Sequence, residues 1–176
     1  MGVPADPGGR CPVCGFKRDL VEPADVAPRV SAAVDEFARL LSTDTVALTA
    51  RPEPMRWSVL EYGSHLRDVL IALRERTLTA AVEDTPTGVP IHRDERVALG
   101  AYRLDDPATV AHELRTVAAL FVRTTSALPP GALGRRLVYS PVSPVEVTVE
   151  WLGTQAVHES EHHLLDARDN LARLGI

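Results

Sequence analysis

The chain reads as an all-α protein, a four-helix bundle with long crossover connections, preceded by an irregular N-terminal arm that holds both of its cysteines. Three observations predict this. Apolar residues recur at spacings of three and four through four segments, the period of a helix with one buried face. Helix caps and stops bracket those segments: Ser58 with Glu61, Asp106 with Pro107, and Gly175 near the end. At least two connections are long, which suits a bundle with crossovers better than a simple up-and-down one.

Residues 1–23 form the arm. They are rich in Gly and Pro, show no helical period, and contain a tight turn at Cys11-Pro12-Val13-Cys14. Residues 24–176 form the bundle. The first helix is expected from Asp25 to Leu41, on the stripe Val26, Val30, Val34, Phe37 and Leu41, and Arg51-Pro52-Glu53-Pro54 follows as a loop. The second begins at the Ser58 capping box, continues through Leu66, Val69, Leu70 and Leu73, and ends near Glu83. Residues 84–104 read as a long connection, of the kind that often carries function. The third helix opens at Asp106-Pro107, runs on Val110, Leu114, Val117, Leu120 and Phe121, and stops at Pro129-Pro130. Between Gly131 and Glu146, Val138, Tyr139, Val142 and Val145 predict a short strand or an irregular crossover. The fourth helix is expected from Thr148 to Leu174.

A length of 176 residues with 45% hydrophobic content fits one folded domain with a single core. A net charge of −5 argues against non-specific nucleic-acid binding. No apolar run reaches the roughly 18 residues needed to span a bilayer. Met1 to Asp6 lack the basic and apolar regions of a signal peptide, and Asp6 stands where a myristoylation motif needs Ser or Thr. A cytoplasmic protein without nucleic-acid or membrane partners is the expectation, and a homodimer is compatible with it. Two cysteines three apart exclude a disulfide framework. The preference for Arg over Lys fits a GC-rich genome such as an actinobacterial one.

The chemistry lies in the histidines. His158 and His162 are one helical turn apart, so both imidazoles share a face of the fourth helix. His65, early in the second helix, completes a three-histidine set for one divalent ion, with room for water or substrate as in a catalytic centre. Three neutral imidazoles leave the cation's charge unbalanced, so a bound water would ionise near neutral pH and a bound thiol would lose its proton. Asp68, Glu161 and Asp166 are candidates to hold the imidazole tautomers. Arg67 is a candidate to hold a carboxylate, and Tyr62 and Tyr139 to reach a substrate pocket. His92 and His112 read as non-ligands, and Trp57 and Trp151 as packing residues.

The stretch Trp57-Ser58-Val59-Leu60-Glu61-Tyr62, with His65-Leu66-Arg67-Asp68 and His158-Glu159-x-x-His162-His163, resembles the DinB-like superfamily over residues from about 25 to 174. The resemblance implies a four-helix bundle with a divalent ion, zinc or nickel, held by one histidine of the second helix and two of the fourth. His65, His158 and His162 match those positions. Relatives include thiol-dependent S-transferases of the mycothiol maleylpyruvate isomerase and bacillithiol types. The resemblance therefore implies a small-molecule substrate and a low-molecular-weight thiol, mycothiol in an actinobacterium, activated at the metal as a thiolate. Iron is a further candidate for the ion.

Cys11-Pro12-Val13-Cys14-Gly15-Phe16 looks like a zinc knuckle, in which Gly permits the turn and both thiolates face one ion. Several readings stay open. His163 joins the two cysteines around a second zinc; the knuckle folds over the bundle mouth and lends a thiolate to the histidine site; the pair does redox work; or the arm is disordered with two free thiols. His163 follows His162 and so points about 100° away from the first site. The leading functional reading is metal-dependent activation of a thiol or water against a small electrophile, with Arg67, Asp68, Tyr62 and Glu161 as candidate catalytic residues. The alternatives are a non-catalytic metal-binding or stress-responsive bundle, and a zinc-binding sensor.

Overall fold

A computed structural model describes residues 9–43, 45–140 and 144–176. The N-terminal segment weighed as a signal or acylation sequence, and Val142 of the suggested strand, lie outside the described residues. Six α-helices follow in order: α1 (Pro23–Leu40), α2 (Thr45–Thr49), α3 (Val59–Val82), α4 (Arg93–Ala98), α5 (Pro107–Ser126) and α6 (Val149–Arg173). The four long ones, α1, α3, α5 and α6, are the four expected, with ends within about two residues of those read from the caps. Each of α1 and α3 packs against both α5 and α6, which is the crossover arrangement that the long connections predicted. None of the described helices is long and apolar enough to cross a membrane.

The core is the sum of the four stripes. Val30, Phe37, Leu66, Leu70, Leu73, Leu114, Phe121 and Leu152 have essentially no exposed surface. On α3, Gly63 lets α1 approach: a Cβ there would stand 3.1 Å from Leu41 Cδ1 and 3.2 Å from Phe37 Cε1.

The 84–104 connection is ordered. Gly88 N donates to Val138 O (2.8 Å) and Val138 N to Pro86 O (2.9 Å), which ties the connection to the hairpin β1 (Arg136–Val138) and β2 (Glu146–Thr148). These strands pair antiparallel with Leu137 opposite Val147, both buried. The expected strand is therefore half of a two-stranded ribbon, and the connection also carries α4 and a 3₁₀ turn at Ala101–Leu104.

The arm is not disordered where it is described. Gly15 takes φ +75°, in the left-handed region that favours glycine. Its N–H donates to Cys11 O (2.9 Å), and Cys11 N donates to Phe16 O (2.9 Å). Phe16 stacks on His158 with ring centres 4.9 Å apart. The Arg18 guanidinium lies 4.5 Å from the Trp151 ring centre and donates to Gln155 Oε1 and Thr154 Oγ1. The arm is thus pinned along the first half of α6.

The α3 N-terminus is locked by its capping box. Glu61 N donates to Ser58 Oγ (3.2 Å) and Ser58 N to Glu61 Oε2 (2.8 Å). The Glu61 carboxylate is 1% exposed and accepts both Nε (2.8 Å) and Nη2 of Arg51. Burial alone would raise its pKa; Arg51 and the Ser58 amide outweigh burial and hold it below its ordinary 4.5. A carboxylate with a depressed folded pKa stabilises above its unfolded value and loses that contribution as pH falls through the folded one. Glu61→Gln is expected to cost about 2 kcal/mol at pH 7. In urea titrations the gap to the wild type should hold down to about pH 5 and shrink below pH 4.5.

Candidate functional site

Helix α6 carries two ligand pairs at i, i+4 spacing, offset by one residue. Thr148 caps the helix, its Oγ1 accepting from Trp151 N at 3.1 Å. From there a 3.6-residue turn sends 158 and 162 to one face and 159 and 163 about 100° further round. All four histidines near the centre of the molecule are buried: His65 is 2% exposed, His158 3%, His162 9% and His163 7%.

The structure divides the histidines differently from the sequence reading. His65 gathers with Glu159 and His163, His158 and His162 gather with Cys11 and Cys14, and His162, His163 and Asp166 make a third group that overlaps both. Within each group one ligand atom per residue lies within 4.8 Å of every other. Among the described residues, His65 does not share a group with His158 and His162, and His163 does not share one with the cysteines. The reason is rotational. The face of α6 turned towards α3 carries 159 and 163, and the face turned towards the arm carries 158 and 162. A two-histidine pair stands out in a sequence. Glu159–His163 has the same spacing, and it becomes visible only when a carboxylate is counted as an equal ligand.

His65 and His163 meet edge to face at 5.1 Å. His65 Nδ1 is buried without a hydrogen-bond partner among the described residues. Burial pushes the His65 imidazole down to about 3, helped by the neighbouring His163, so the ring is neutral and able to ligate. His163 goes the other way. Burial opposes its charge, yet hydrogen bonds from its Nδ1 to Asp166 Oδ2 and from its Nε2 to Glu159 Oε2, each 3.1 Å, lift it to about 9. Glu159 resists burial through the same contact and is held far below the carboxylate range. Tyr62 stacks over His163 at 5.3 Å and Trp57 meets His65 edge-on at 5.2 Å, so both rings are walled in. Burial pushes the Tyr62 hydroxyl up to about 12, keeping it protonated.

In the other group, His162 Nδ1 stands 3.9 Å from Cys11 Sγ, and its Nε2 faces Asp166 Oδ2 at 3.4 Å. His158 Nε2 is buried without a partner among the described residues, and its Nδ1 lies 3.3 Å from Arg18 Nη2. Burial lowers His158 to about 4 and raises the Cys14 thiol to about 11. Asp166 joins the groups directly, and Gln155 joins them through Arg18, which lies against His158. Asp166 Oδ2 serves both His162 and His163. Gln155 accepts from Arg18 through Oε1 and donates to Glu159 Oε1 through Nε2.

The other candidates land elsewhere. Glu161 forms a two-bond pair with Arg29 of α1, 2.8 Å each, and ties the helices together. Asp68 accepts from Arg67, Arg96 and the Tyr102 hydroxyl. Arg67 is surrounded by Asp68, Asp105 and Glu113. Tyr139 packs against Trp151 and under Arg76. His92 and His112 are exposed, as expected. Of the three acids proposed to orient the imidazoles, Asp166 touches them.

Arg76 is the residue the sequence reading missed. It is 6% exposed, donates from Nη2 to Val89 O (2.7 Å), and has Nε and Nη1 unpartnered among the described residues. It lines a cavity of about 560 Å³ between α3 and the 86–91 segment, with Asp68, Ala72, Val89, Ile91 and Leu137. Asp68, Ala72 and Arg76 continue the helical row that starts at His65, in steps of three and four. Burial with no acidic partner among the described residues marks Arg76, and sequence does not report that.

The family model described as the DinB superfamily matches residues 29–167, and the chain belongs to that superfamily. No curated protein matches by sequence. Among solved structures, YfiT from Bacillus subtilis, described as a probable metal-dependent hydrolase with an unusual four-helix bundle topology, aligns with a TM-score of 0.82 at 17% identity, over 91% of this chain and 93% of that one. A mycothiol-dependent maleylpyruvate isomerase aligns with a TM-score of 0.68 at 17% identity, over 86% of this chain and 63% of the isomerase. At these identities the likeness is one of fold.

The two acids separated by one residue on α6 should behave differently. Glu159→Gln is expected to lower divalent-metal content or affinity, while Glu161→Gln leaves metal content unchanged and costs about 1 kcal/mol of stability. Elemental analysis and thermal melts of the two variants check this.

Proposed function

We propose that this member of the DinB superfamily holds a catalytic divalent cation between His65, Glu159 and His163 and uses it to activate a low-molecular-weight thiol, or water, against a small electrophile. The observation that carries the reading is the convergence of two imidazoles and one carboxylate within 4.8 Å, with His65 Nδ1 buried and unpartnered among the described residues. Two histidines and a carboxylate are the donor set of open catalytic zinc sites, and they suit ferrous iron as well. Zinc is the first expectation, with nickel and iron as the others. The cation supplies the charge that lowers the pKa of a thiol or water at the open position to near neutral.

The chain's own residues do the rest. Asp166 accepts from His163 Nδ1 and fixes which ring nitrogen faces the group. Gln155 holds Glu159. Trp57 and Tyr62 exclude water from the far sides of the rings. Arg76, buried and with no acidic partner among the described residues, takes the anionic end of a substrate or thiol that reaches into the cavity it lines. Thiol transfer is the more specific form of the reading, and a mycothiol-dependent relative of the same fold supports it. Metal-assisted hydrolysis is the broader form, supported by the description of YfiT.

The test is turnover of a chromogenic aryl halide by the zinc-loaded protein, with mycothiol, cysteine or no thiol added. A thioether product, whose C–S bond replaces the carbon–halogen bond, marks transfer; the hydroxylated product marks hydrolysis. His65→Ala is expected to reduce either to background while circular dichroism stays native. Undiminished turnover after loss of His65, Glu159 and His163 together would sink the reading.

A further inference from the structure

We propose that Cys11, Cys14, His158 and His162 form a closed, structural zinc site that clamps the N-terminal arm to α6. This goes beyond the catalytic reading and does not depend on it.

Four observations converge. The four ligand atoms lie within 4.8 Å of one another. Their chemistry is two thiols and two imidazoles, at the C-x2-C and H-x3-H spacings of tetrahedral zinc sites. The knuckle is already shaped, with Gly15 at φ +75° and the Cys11 N–H and C=O both engaged in the turn. The imidazoles are presented for it. His158 Nε2 is buried without a partner among the described residues, and His162 turns Nδ1 to Cys11 while Asp166 Oδ2 stands 3.4 Å from its other nitrogen. A carboxylate on the outer nitrogen is how a ligating histidine is held in the right tautomer.

The set is complete without water or substrate, and Phe16 lies stacked on the His158 ring. That separates it from the His65 group, which has three donors. A zinc here would fix the rotation of α6 at 158 and 162, and so the direction of 159 and 163. Asp166, which faces both groups, and Gln155, which holds Glu159 and the Arg18 that lies against His158, carry that constraint across.

The test uses the full chain stripped of metal with a chelator and titrated with cobalt(II). The expected spectrum has intense visible bands of tetrahedral cobalt and a thiolate-to-cobalt charge-transfer band in the near ultraviolet. Zinc should then displace the cobalt and protect Cys11 and Cys14, slowing alkylation by iodoacetamide at least about tenfold relative to the stripped protein. The Cys11→Ser, Cys14→Ser double variant should lose the thiolate band and one metal equivalent, and retain the ion that His65→Ala removes. Cobalt bound with no thiolate band, or thiols equally reactive with and without zinc, would overturn the proposal. Those two readings come from the wild type, so they stand even if the double variant fails to fold. Loss of turnover in His65→Ala with the thiolate band intact separates this site from the catalytic one.

Discussion

Asp166 Oδ2 faces His162 at 3.4 Å and His163 at 3.1 Å, and the site depends on that single carboxylate more than on any other contact. The two histidines are neighbours in sequence and turn their other nitrogens into different ligand groups. One acceptor between their outer nitrogens fixes both rings together. Gln155, one turn before the first ligand pair, does the same for Arg18 and Glu159. The two groups are therefore not independent ornaments on a helix. They are two readouts of one variable, the rotational setting of α6.

That setting is held from both sides. On the bundle side, α6 packs against α1 and α3, with Leu152, Ala156, Val157 and Ala167 fully buried. On the other side lies the arm. Ordering roughly ten backbone residues of such an arm costs about 10–20 kcal/mol. One phenylalanine stacked on a histidine and one arginine over a tryptophan supply only a few kcal/mol of that. A structural zinc of the kind proposed would contribute about 10–16 kcal/mol, of the same order as that ordering cost.

The fold was legible because helical periodicity and caps are local. Ser58 with Glu61, and Asp106 with Pro107, placed the starts of α3 and α5 to within a residue, and the length of the 84–104 connection announced the crossover. Its internal order was not legible, because Gly88 pairing with Val138 is a contact fifty residues away. The candidate site was half legible. The residue types and the helical spacing were evident, and so was the zinc-like character of the cysteine turn. Which residues converge was not evident. His65 meets Glu159 and His163 in the structure because of how α6 is rotated about its axis, a tertiary property to which a one-residue offset in sequence is nearly blind. Arg76 was invisible for a related reason. In sequence it is one arginine among many, and its burial without a carboxylate appears only when α3, Tyr139 and the 86–91 segment close around it.

The central claim is that α6 presents two ligand pairs to two separate ions. The most direct measurement is metal content per chain for the His158→Ala, His162→Ala pair beside the Glu159→Ala, His163→Ala pair, with the wild type as reference. Two ions are expected in the wild type and one in each variant, with thiolate-ligated cobalt surviving only in the second. A single ion in the wild type, lost in both variants alike, would contradict that claim and return the helix to one shared site.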